Sequence, residues 1–114
     1  MPFINTKVSV ALSEEKEQVI KSKLGQAIAL IPGKSESWLM TNFEDQCHLY
    51  FRGDNSAPIA FVEVKVYGKE NPSAFDALTG AICKILNEEL GIAPDHIYVE
   101  YQATSNWGWN GGNF

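Results

Sequence analysis

The run Phe61-Val62-Glu63-Val64-Lys65-Val66 alternates side chains in the period-two manner of a strand with one buried face. Shifted by 58 positions, it lies over Phe3-Ile4-Asn5-Thr6-Lys7-Val8, which carries the same alternation in the same phase. The coincidence continues outward. Ile20, Leu24, Ala27 and Ile28 fall on Leu78, Ile82, Ile85 and Leu86, Gly33 falls on Gly91, and Leu39 falls on Ile97. The chain therefore reads as two pseudo-repeats, about 2–57 and 58–114, each with the order strand, helix, glycine stop, strand.

Each helix has its own signals. Ser13 is a candidate N-cap, with Glu14 and Glu15 suited to the positive end of the helix dipole. Ile20, Leu24, Ala27, Ile28 and Ile31 follow at helical spacing until Pro32-Gly33 stops the run. In the second half Asn71 caps and Pro72 takes the first helical position, where its missing N–H costs nothing. Phe75, Leu78, Ile82, Ile85 and Leu86 form the matching stripe, which ends near Gly91.

A strand–helix–strand unit has parallel strands and a right-handed crossover. Two such units predict an α/β fold with a four-stranded mixed sheet and both helices on one face. Short additional strands are expected near His48 to Phe51 and near the C-terminus. If Ala60, Val62, Val64 and Val66 face the helices, then Phe61, Glu63, Lys65 and Tyr67 face away, together with Phe3, Asn5 and Lys7. That second face is too mixed for a core and too apolar for full exposure, which points to a homo-oligomer.

With 114 residues, 45% hydrophobic and 20% charged, the chain is sized for one domain that buries a core without metal or disulfide staples. A net charge of −5 argues against a general nucleic-acid binder, which needs cations to neutralise phosphates. Cys47 and Cys83 form neither a disulfide framework nor a CxxC pair, and Cys83 lies in a helix stripe as an expected buried thiol. His48 and His96 have no acidic or thiol partners at metal-ligand spacing, so no metal site is expected. No signal peptide and no apolar run of membrane-spanning length is visible, so a cytoplasmic protein is expected, with any export leaderless.

Pro2 has two readings. Proline is well tolerated as the first residue of a strand. It also follows a methionine that is excised ahead of small residues, and the chain would then begin with a secondary amine able to act as a base. Pro2 opening the first strand, the doubled unit, PGK at 32–34, VYGK at 66–69, PDHIYVEY at 94–101 and NWGWN at 106–110 occur in a specific order and spacing. Together they resemble the tautomerase superfamily, in the macrophage migration inhibitory factor and D-dopachrome tautomerase branch, from Pro2 to Phe114.

The resemblance implies a homotrimer with sites at subunit interfaces and no cofactor. It implies keto–enol tautomerisation of phenylpyruvate-like or dopachrome-like compounds, with the amino-terminal proline moving the proton after Met1 removal. A base working at neutral pH needs a pKa near that pH, which an apolar pocket and a nearby cation supply by disfavouring its charged form. Phe3, Trp38, Trp107, Trp109 and Phe114 are the candidate apolar walls. Lys34 is either a solvated helix-end lysine or, in the PGK position, the cation that holds a substrate carboxylate or enolate oxygen.

Tyr67 stands beside the proline where the family often has isoleucine, and its backbone N–H is the group that meets ligands. Tyr98 matches a tyrosine that a neighbouring subunit contributes, or is an ordinary strand aromatic. Glu100 shares a strand face with Tyr98 and replaces an asparagine of the mammalian cytokine; a carboxylate there would repel anionic substrates. The cytokine's CxxC is replaced by Ile59-Ala60-Phe61-Val62, so thiol oxidoreductase chemistry is not expected. The resemblance also implies a rival reading, a cytokine-like protein that binds a host receptor and retains a vestigial pocket.

Overall fold

The order of elements follows the two-unit reading. The computed structural model describes residues 1–114. The first unit holds β1 (Pro2–Val8), α1 (Glu14–Ala27) and β2 (Met40–Glu44). The second holds β3 (Ala60–Tyr67), α2 (Pro72–Leu90) and β4 (Ile97–Thr104), followed by a small hairpin of β5 (Gly108–Trp109) and β6 (Gly112–Asn113). The main sheet runs β2-β1-β3-β4. Pairing within each unit is parallel, β1 with β2 and β3 with β4, and the central β1–β3 pair is antiparallel.

The antiparallel centre makes the halves a pseudo-twofold pair. Asn5 lies opposite Glu63, its own counterpart under the 58-residue shift. The hydrogen bonds at the two ends of this ladder exchange under the same shift: Ser9 N donates to Ile59 O at 2.9 Å, and Tyr67 N donates to Met1 O at 3.0 Å.

One sheet face carries the core. Ile4, Val8, Val62, Val64 and Val66 are at most 1% exposed and pack under Ile20, Leu24, Ile28, Leu78, Ile82 and Leu86. Each such side chain contributes about 1.5–3 kcal/mol when fully buried. Thr6 sits among them, 2% exposed, and its Oγ1 has no hydrogen-bond partner. The two helices are further tied by Glu89, which accepts from Lys23 Nζ at 2.6 Å and Lys16 Nζ at 3.1 Å.

The caps form from the residues expected. Ser13 Oγ accepts from Lys16 N at 3.1 Å, and Asn71 Oδ1 accepts from Ala74 N at 3.2 Å with Pro72 at the helix start. Gly91 ends α2 at φ 67°, a left-handed conformation that a Cβ disfavours. The end of the first helix differs from expectation. Its α-turns stop at Ala27 and tighten into a 3-10 turn over Ile28–Leu30, which still buries Ile28 and Ile31. No helix is long and apolar enough to cross a membrane.

Two further expectations need correcting. No strand forms over His48 to Phe51; only Phe51 and Asp54 pair, closing a turn with Arg52 and Gly53 at φ 54° and 74°. Phe51 is held by tertiary packing of its ring on His96 and Tyr98, not by a ladder. Cys83 is half-buried, and this partial burial raises its thiol pKa.

The other sheet face bears Phe3, Asn5, Lys7, Phe61, Glu63, Lys65 and Tyr67, all partly exposed. Lys7 Nζ meets Glu63 Oε1 at 3.3 Å, and Asn5 Nδ2 donates to Glu44 Oε2 at 3.0 Å. Met40 at one edge and Tyr98 at the other are 68% and 59% exposed. Large apolar side chains thus lie open at both edges of the sheet.

Candidate active site

The start of the chain is an interior strand, so Pro2 is buried opposite Val66. Met1 lies beyond it, its carbonyl accepting from Tyr67 N at 3.0 Å. The chain's free amine, carried here by Met1, has a pKa below the ordinary range for a terminal amine. Partial burial is the larger cause, and the charge of Lys34 adds to it.

Lys34 reaches this point from the turn that ends the first helix. Gly33 takes φ 81°, and Lys34 N donates to Ile31 O at 3.0 Å. The side chain then crosses to β3, where Nζ donates to Tyr67 O at 2.7 Å and lies 6.0 Å from the centre of the Tyr67 ring. Phe114 packs on that ring at 5.0 Å, tilted by 39°, and Phe114 N donates to Trp107 O at 3.0 Å.

Beside the chain start lies a cavity of about 360 Å³ lined by Met1, Pro2, Phe3, Trp38, Met40, Trp107 and Trp109, with Ser37, Leu39 and Gly108. Trp38 comes from the 3-10 turn Glu36–Trp38 and Trp109 from the terminal hairpin. Their rings meet edge to face at 5.1 Å and 88°, so each indole fixes the other. A larger hollow of about 600 Å³ lies at the far end of β1, around Cys47 and His48. It contains neither the chain start nor Lys34.

The fold therefore sorts the candidate residues into three places. Pro2, Phe3, Trp38, Trp107 and Trp109 share the cavity. Lys34, Tyr67 and Phe114 form a second group, of which Lys34 also acts on the terminal amine. Tyr98 and Glu100 join neither within one chain. Tyr98 pairs with Phe61, whereas Pro2 pairs with Val66, a separation along β3 of about 17 Å at roughly 3.3 Å per residue. Tyr98 instead meets Phe51 at 5.5 Å and Phe61 at 6.5 Å, both edge to face. Glu100 lies opposite Glu63 on the same face.

Sequence reasoning missed Met40, Leu39 and Ser37 as cavity walls. The signal was present in the parallel first unit, because Phe3 faces Met40 across β1 and β2. It also missed Phe51 as the neighbour of Tyr98, a contact made through a turn with no periodic pattern. No three His, Cys, Asp or Glu side chains gather in a way that would hold a metal.

Comparison with known proteins finds relatives over the whole length of the chain. The family model described as macrophage migration inhibitory factor (MIF) matches residues 1–114. The macrophage migration inhibitory factor of Meriones unguiculatus is 28% identical over 116 residues, covering 100% of this chain and 99% of that protein. Among solved structures, Leishmania major MIF2 is 38% identical with a TM-score of 0.91, covering 100% of this chain and 97% of that one. The homologue from Prochlorococcus marinus is 31% identical with a TM-score of 0.81, covering 98% of each chain. By sequence over its whole length and by fold, the chain belongs to the macrophage migration inhibitory factor family.

Proposed function

We propose that the protein is a keto–enol tautomerase of phenylpyruvate-like or dopachrome-like compounds, with Pro2 as acid and base once Met1 is removed. One observation supports this above the others: the chain's amine is partly buried beside Lys34 and has a lowered pKa. Excision of Met1 moves that amine to Pro2. It also releases the Tyr67 N–H from the Met1 carbonyl at 3.0 Å. A substrate oxygen would take the place of that carbonyl, between the Tyr67 N–H and the Lys34 ammonium.

The steps follow from these positions. The Pro2 nitrogen takes a proton from the carbon next to the ketone, and negative charge grows on the ketone oxygen. Lys34 and the Tyr67 N–H stabilise that oxyanion or the neighbouring carboxylate. The protonated proline then returns the proton to oxygen, giving the enol; the reverse order gives the ketone. The ring of an aromatic 2-keto acid would lie against Phe3, Trp38, Trp107 and Trp109, with Phe114 closing the rim.

The same reading makes the working form a homotrimer. Tyr98 and Glu100, remote from Pro2 in their own chain, would then serve a neighbour's pocket. Glu100 would disfavour anionic substrates there and hold the proline protonated to higher pH. A cytokine-like binding role is the second reading, in keeping with the name of the rodent relative, macrophage migration inhibitory factor.

The test is phenylpyruvate tautomerisation by protein whose intact mass lacks Met1, beside Pro2→Gly. Loss of about 10²-fold or more in the variant is expected, the scale of a lost general base. Equal rates in both proteins would refute the amine mechanism. A wild type without turnover whose partner binding is matched by Pro2→Gly would favour the second reading.

A further inference from the structure

We propose that the ring of Tyr67 is a positioning residue for Lys34, and through Lys34 for the substrate carboxylate, an inference that rests on the tautomerase reading above. The backbone of Tyr67 needs no particular side chain to offer its N–H and carbonyl. The ring adds something separate. Lys34 stands on a turn after the first helix, and a lysine stem has four flexible carbons and a compact charge. Left alone, such an ammonium samples many positions in water.

Here it is held from two directions. The Tyr67 carbonyl takes one of its three hydrogens at 2.7 Å, and the ring presents its surface 6.0 Å away, at the outer reach of a cation–π contact. The ring is itself braced by Phe114 at 5.0 Å, and the Phe114 amide is tied to Trp107 O at 3.0 Å. An aromatic face attracts the ammonium without accepting a conventional hydrogen bond. The two remaining N–H groups therefore stay free for a carboxylate. An aliphatic residue at position 67 would keep the carbonyl contact and lose the rest.

The experiment compares wild type, Tyr67→Leu and Tyr67→Phe, all without Met1. Binding of 3-phenylpropionate, an unreactive carboxylate, is followed by indole fluorescence, and KM is measured for phenylpyruvate and for its methyl ester. Tyr67→Leu should weaken the two carboxylates about two- to fivefold, the scale of one exposed cation–π contact, with kcat moved less. Tyr67→Phe, which keeps the ring, should recover the carboxylate affinity, and the ester should respond little to either change. The proposal is overturned by equal carboxylate affinity in Tyr67→Leu and wild type, by equal losses in both variants, or by equal losses for acid and ester. Failure of wild type to bind 3-phenylpropionate overturns it as well. Fluorescence-detected binding of 3-phenylpropionate that weakens in Tyr67→Leu and recovers in Tyr67→Phe, with no turnover in any of the three proteins, would leave the positioning role standing and remove the tautomerase reading, so the two fail separately.

Discussion

Replacing Thr6 by valine should stabilise the protein. Thr6 is 2% exposed on the helix-facing side of β1, between Ile4 and Val8, and its Oγ1 has no partner. A buried hydroxyl left unpaired costs about 1–3 kcal/mol relative to water. Valine has nearly the same shape, and the pseudo-repeat supplies a precedent for its fit. The position related to Thr6 by the 58-residue shift is Val64, 1% exposed in the same core.

Taking about 1–2 kcal/mol as the gain leaves room for imperfect packing of the added methyl. Unfolding entropy of about 2.1 cal/mol/K per residue over this chain converts each kcal/mol to roughly 4 °C, so Tm should rise by about 4–8 °C. Thermal unfolding by circular dichroism at one fixed protein concentration measures it, since assembly would make Tm depend on concentration. Urea unfolding with an unchanged m-value is the companion measurement. A Tm that falls would refute the reasoning, because it would mean that the hydroxyl is satisfied in the folded protein.

Lys34→Ala should lower kcat/KM for phenylpyruvate by about 10²-fold, the scale of one lost oxyanion donor. It should also move the ascending limb of the pH–rate profile to higher pH. The sign follows from charge: a neighbouring cation disfavours a protonated amine, as Lys34 does for the amine of Met1. Loss of Lys34 should therefore raise the pKa of the Pro2 amine and bring the free base only in more alkaline solution. A profile that stays in place would remove Lys34 as a cause. Gly80→Ala should add about 0.5–1 kcal/mol, because Gly80 is an exposed glycine inside α2 and a Cβ there meets nothing within 4 Å; chemical denaturation reads it.

What the sequence made legible is what repeats. Period-two runs at 3–8 and 61–66 specified both central strands and their buried face, and Ser13, Asn71, Pro72 and Gly91 marked helix ends by local chemistry that tertiary structure had no reason to override. The turn at 51–54 was not legible, since Phe51 is held by His96 and Tyr98, which lie more than forty residues away. The aromatic rim was readable as composition but not as geometry. That Trp38 meets Trp109, while Phe114 meets Tyr67, depends on how the last ten residues fold back over the start of the chain.

The pseudo-twofold has a consequence for how such a site could arise. Under the 58-residue shift Pro2 corresponds to Ala60, and the Met1 carbonyl that meets Tyr67 corresponds to the Ile59 carbonyl that meets Ser9. Ala60 occupies the same place in the fold as Pro2, yet its nitrogen is an amide because the chain must pass through it. A doubled unit copies strands, helices and core, but a polypeptide begins only once. If the reacting group is the beginning itself, duplication can never yield a second one. The other end of the sheet was left free to become something else, and it now carries Phe51, Phe61 and Tyr98.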